Sequence, residues 1–153
     1  MKKWFFILIL AVSLHAEEIV HKVVFDLTTG DSKTFEKIIL SGIPVQKTHF
    51  ENKMEELEVA VVIHGEAYRF FVKNLTNTPY KKDTTLSKLQ ETFLKRLTGS
   101  VNTYKVSYFM CESGMKRNKI VKENVYDFVT LVPTSTIGLI EKQNEGYAYI
   151  PAR

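Results

Sequence analysis

The stretch Tyr108-Phe109-Met110-Cys111-Glu112-Ser113-Gly114-Met115-Lys116-Arg117-Asn118-Lys119 carries the only cysteine of a 153-residue chain. A cysteine does nucleophilic chemistry as its thiolate, which forms most readily at a helix start or beside cations. Cys111 closes an apolar run, stands just before a segment that reads as a helix start, and has Lys116, Arg117 and Lys119 close behind. Glu112 works the other way, because an adjacent carboxylate disfavours the thiolate. The residues leave two readings open: a reactive thiol, or a small apolar side chain completing a core. His64, followed by Gly65 and Glu66, is the second group with chemistry to offer, either as a proton carrier and thiolate partner or as a hydrogen-bonded loop anchor.

Several chemistries are excluded. A single cysteine cannot form an internal dithiol, so any disulfide of Cys111 joins it to another molecule. His21 and His49 lack ligand spacing, and no metal site is expected. The five residues centred on Ser113 lack both glycines of a nucleophile elbow, and no phosphate or dinucleotide loop is present, so no cofactor is expected. The basic pairs Lys81-Lys82, Lys95-Arg96 and Lys116-Arg117 are scattered and read as solvated faces rather than a nucleic-acid footprint.

The elements that must position these groups follow from periodicity. His21 to Leu27 is a β-rich run ended by Thr28-Thr29-Gly30-Asp31. Asp31 or Ser32 caps a helix with Phe35, Ile38, Ile39 and Leu40 on its apolar face, punctuated by Gly42 and Pro44. Leu57 to Ile63 is nearly all apolar, as in a strand covered on both faces. Glu66 to Val72 fits a helix, Thr76 to Asp83 a loop, and Leu86 to Leu97 an amphipathic helix. Tyr104 to Met110 is a third strand delivering Cys111, and Ser113 to Ile120 a short helix. Phe128 to Pro133 is a fourth strand, Ser135 to Gln143 a helix, and Tyr147 to Ile150 a last strand. This alternation predicts an α/β domain with three α/β/α layers and a mostly parallel five-stranded sheet. Ligands of such sheets collect at the carboxyl ends of the strands, so the segments after Leu27, Ile63 and Met110 are expected to share one pocket.

The amino terminus has two lysines, an apolar run from Trp4 to Leu14, and Ala16 before two acids. That layout predicts a secretory signal peptide over residues 1–16 and a periplasmic domain over 17–153 with no membrane span of its own, a retained anchor being the alternative. The mature chain carries 19 basic and 17 acidic residues, a charge of +2, so the basic pI belongs partly to the leader.

The order of these motifs resembles the DsrE-like sulfur-relay family in its exported bacterial branch. The resemblance rests on Lys22-Val23-Val24-Phe25-Asp26-Leu27, Val61-Val62-Ile63-His64-Gly65-Glu66-Ala67, Phe109-Met110-Cys111 with Met115, and Leu139 to Ile150. It implies a homo-oligomer, often a trimer, in which Cys111 accepts sulfane sulfur as a persulfide and passes it between donor and acceptor partners. His64, Gly65, Glu66, Ser113, Gly114 and Met115 would surround the sulfur. Two other classes fit the residues: a non-catalytic ligand-binding or assembly module, and an envelope thiol redox sensor.

Overall fold

The computed structural model describes residues 19–153. The expected signal peptide lies outside the described residues. The strands are β1 (Val20–Leu27), β2 (Glu56–Ile63), β3 (Ser107–Cys111), β4 (Val129–Val132) and β5 (Ala148–Ala152), joined in one sheet of order β4-β3-β2-β1-β5. All four pairings are parallel. The helices are α1 (Ser32–Phe35), α2 (Ile43–Glu51), α3 (Thr84–Asn102), α4 (Glu112–Arg117) and α5 (Ser135–Asn144).

Strand alternation sorts the core into two layers. Val23, Phe25, Leu27, Val59, Val61, Ile63, Tyr108 and Met110 pack with Phe35, Ile39, Ile43, Leu86, Phe93 and Leu97 from the helices between β1 and β3. Val24, Ala60 and Val62 face the other way and meet Leu139 of α5, Phe109 and Tyr147. β2 is nearly all apolar because it is covered on both sides. Phe35 is fully buried and stacks on Phe70 at 4.1 Å, with Phe93 edge-on at 5.3 Å.

The expected elements hold in type, with four corrections. The first helix does not end at Gly42 and Pro44: the chain winds as a π-helix over Glu36–Gly42 and continues through α2, with Pro44 in its first turn. The wider π winding relieves the clash between a proline ring and the carbonyl four residues back. The Glu66 to Val72 segment makes only a single 3₁₀ turn, Ala67–Phe70, too short a piece for a helix. β3 starts at Ser107 instead of Tyr104, because Lys105 adopts a left-handed conformation (φ 56°) that interrupts extended backbone. α4 starts one residue earlier than expected and ends at Arg117, before the left-handed Lys119 (φ 54°).

Replacing Phe35 with alanine should lower unfolding free energy by about 3–5 kcal/mol, read from the shift of the urea midpoint at unchanged slope.

Candidate functional site

Cys111 is the last residue of β3, paired with Val132 of β4, and also the N-cap of α4. Beyond it the chain passes to the α1–α3 side of the sheet, where Met115 and Ile120 join the larger core. Beyond Val132 it passes to α5, on the opposite side. Neighbouring strands whose connections leave to opposite faces open a crevice at their carboxyl ends, the usual place for a ligand in an open α/β sheet. Ser113 N–H donates to Pro133 O at 3.3 Å and ties the two diverging loops together. Cys111 ends β3 where these two chains part, and is only 3 % exposed.

Its sulfur accepts the Gly114 N–H at 3.4 Å. Burial opposes ionisation of the thiol, yet the Gly114 N–H, the Tyr68 hydroxyl and the N–H groups of Ser135 and Ser113 outweigh it. The thiol pKa falls below its ordinary value. The N–H donors come from the first turns of α4 and α5, whose free N–H groups favour a negative charge. A lowered pKa means more thiolate at neutral pH.

Tyr68, 1 % exposed, donates its hydroxyl to the Cys111 carbonyl at 2.9 Å. Burial and the contact with Cys111 raise the phenol pKa strongly, so it remains a donor. A Cβ at Gly114 would lie 1.9 Å from that hydroxyl, so only glycine lets Tyr68 and α4 meet here. The same close approach brings the Gly114 N–H to the sulfur.

His64 stands one residue beyond the paired Ile63 and Met110, so it neighbours Cys111 across adjacent strand ends. Its ring is held on Asp26: Nε2 lies 2.5 Å from Asp26 Oδ1, and the Tyr149 hydroxyl donates to Asp26 Oδ2 at 2.6 Å. Asp26 is 5 % exposed, and its carboxylate raises the Tyr149 pKa through that hydrogen bond. With Nε2 committed to Asp26, the imidazole keeps Nδ1 for other work.

The residues expected from sequence divide into two groups. Cys111, Ser113 and Gly114 form one constellation, with Met115 buried behind it and contributing packing. His64 is beside this group but makes no hydrogen bond to the sulfur. Gly65 (φ 62°) forms the turn that returns the chain after β2, where Glu66 N–H reaches Thr28 O at 3.0 Å. The Glu66 carboxylate is engaged by Arg69, so it serves the loop instead of the thiol. Sequence reasoning missed Asp26, Tyr68, Ser135 and Tyr149 as members of the site. Asp26 had a signal, a lone acid inside an apolar strand. Tyr68 and Ser135 had none, since only the tertiary fold brings them to the sulfur.

A family model for DsrE/DsrF-like proteins matches residues 22–152. The chain belongs to the DsrE/DsrF-like family. An uncharacterized protein of Aquifex aeolicus is 34 % identical across 99 % of this chain, which spans 64 % of that relative's length. The solved structure of a protein of unknown function from Methanobacterium thermoautotrophicum superposes with a TM-score of 0.62 at 17 % identity. It covers 86 % of this chain and 98 % of its own, and at that identity it speaks for the fold.

Tyr68→Phe should raise the pH midpoint for alkylation of Cys111 and slow alkylation at neutral pH by at most about fivefold, the worth of one ~1 kcal/mol hydrogen bond, the hydroxyl turning from the Cys111 carbonyl to the sulfur as the thiolate forms. Rates measured across pH with iodoacetamide check this; an unchanged midpoint would remove Tyr68 from the stabilisation of the thiolate.

Proposed function

We propose that this DsrE/DsrF-like protein is an exported sulfur carrier in which Cys111 accepts sulfane sulfur as a persulfide and hands it to a partner. The observation that carries the reading is the thiol at the β3 carboxyl end, supplied with N–H donors from two helix starts that lower its pKa. In the loading step the Cys111 thiolate attacks the outer sulfur of a donor persulfide or polysulfide. The donor's S–S bond breaks, a new S–S bond forms on Cys111, and the departing thiolate keeps the electron pair, so no external oxidant is needed. The same N–H groups that hold the thiolate suit the anionic persulfide. In this reading His64, held on Asp26, exchanges protons with departing and incoming thiols; its position one residue past the Ile63–Met110 pair supports the role.

The burial of Cys111 favours a second reading, a binding or assembly module in which the thiol is packing. The two differ in what the sulfur does. Intact mass of the protein after brief polysulfide treatment should rise by about 32 Da per sulfur atom, reversibly with reductant, and Cys111→Ser should take up none. An unchanged mass in the wild-type protein supports the module.

Export and a periplasmic location rest on the leader-like residues 1–16. Among the described residues, no helix is long and apolar enough to cross a membrane. Assembly into a homo-oligomer, a trimer by resemblance, draws support from the α5 layer, where one helix covers the sheet and Ile137, Ile140 and Tyr149 remain exposed. Light scattering on the mature protein should give a multiple of the monomer mass, and Ile140→Glu should shift it toward one chain; a monomeric wild-type protein contradicts assembly.

A further inference from the structure

Lys81 is far in sequence from Arg117 and Lys119, yet the fold sets all three around one groove. Lys81 comes from the loop before α3, and Arg117 and Lys119 from the end of α4. With Asn77 and Asn118 they line an open trough of about 490 Å³. A second trough of about 370 Å³ continues it past the shared Asn77 and Lys119 to Asn124 and Glu123. All three cations are exposed, and none pairs with a carboxylate among the described residues. Glu123, at the far end, is the one acid on the lining of the two troughs.

The floor beneath these side chains is fixed by hydrogen bonds. Asn124 Nδ2 donates to Asn74 O at 2.8 Å, Asn74 N–H returns to Asn124 Oδ1 at 2.8 Å, and Asn118 Nδ2 holds Gly114 O at 2.9 Å. The groove is also tied to the sulfur site. Arg117 ends the short helix that Cys111 caps, roughly 9 Å along the axis at 1.5 Å per residue, and its charge reaches the Tyr68 hydroxyl.

We propose that this groove docks an extended acidic segment of a partner protein, seating that partner beside Cys111. A carboxylate-bearing chain matches unpaired cations spread along an elongated, open channel, where charge complementarity sets orientation and encounter rate. A small anion would call for donors converging in a closed pocket, and the cations here line an open trough instead. A nucleic-acid strand would call for exposed aromatic platforms, and Tyr80, the nearest ring in sequence to Pro79 and Lys81, is buried under Arg69. The proposal rests on the carrier reading only in making that partner the donor or acceptor of sulfur.

The test is binding of a fluorescein-labelled oligoglutamate peptide to the mature full-length protein, by anisotropy and by amide NMR shifts, in wild-type and Cys111→Ser forms. The expected result is saturable, salt-weakened binding with shifts at Lys81, Arg117 and Lys119, equal in both forms. Lys81→Glu/Arg117→Glu/Lys119→Glu should bind at least about tenfold more weakly. The equal charge reversal Lys37→Glu/Lys53→Glu/Lys105→Glu, away from the groove, should retain affinity. Equal losses in the two triple variants, or shifts scattered over the surface, would overturn the proposal. So would inorganic phosphate displacing the peptide at matched concentration, which marks a small-anion site, or tighter binding of oligothymidylate. Peptide binding without sulfur loading would sink the carrier reading and leave the groove standing, and the converse holds.

Discussion

The contact on which the site depends is the approach of the Tyr68 hydroxyl to the backbone at Cys111 and Gly114. That hydroxyl satisfies the Cys111 carbonyl where β3 runs out of strand partners. The space it occupies is the space a Cβ at Gly114 would need. With Tyr68 buried there, α4 starts at Cys111 and its Gly114 N–H faces the sulfur. The chemistry of the thiol is thus a consequence of how one tyrosine packs. Burial alone would push the thiol toward its neutral form; the directed N–H donors reverse that, as expected where fixed dipoles act at a partly dry site.

The topology explains why this thiol stands where two neighbouring chains part. The chain builds β1 to β4 in one direction and then uses α5 to cross the opposite face and place β5 beside β1. Only β3 and β4 are neighbours whose chains leave to opposite sides, and Cys111 ends one of them. Asp26 sits in β1 and His64 one residue past the end of the adjacent β2, one step further along the same edge. Placing the acid, the imidazole and the thiol at the carboxyl ends of successive parallel strands orders them, with the His64 N–H tied to Leu27 O at 3.0 Å.

Much of this was legible in the sequence. The unbroken apolar run of β2 gave a doubly covered strand, and the capping acid Asp31 is where turn chemistry puts it. Local patterns failed where a tertiary adjustment overrode them. Pro44 read as a helix end, and a π segment carried the helix through it. Lys105 and Lys119 take left-handed conformations that no lysine advertises. Within the site, Cys111 and His64 were visible by type and position. Tyr68 and Ser135 were not, because their roles come from which atoms they bring within reach of the sulfur, and spacing along the chain does not encode that. The basic groove was hidden for the same reason: scattered basic pairs read as solvated faces until the fold brought one member of each of two pairs, Lys81 and Arg117, together with Lys119.

The central claim is that the fold, through its N–H donors and Tyr68, makes Cys111 a thiolate more readily than an ordinary cysteine. The direct measurement is the ultraviolet absorbance of the thiolate as the folded protein is titrated, with Cys111→Ser as the blank. The account predicts an ionisation midpoint below the ordinary value of about 8.5. A midpoint at or above that value would mean that burial outweighs the donors, and Cys111 would then be a core residue with no part in sulfur chemistry.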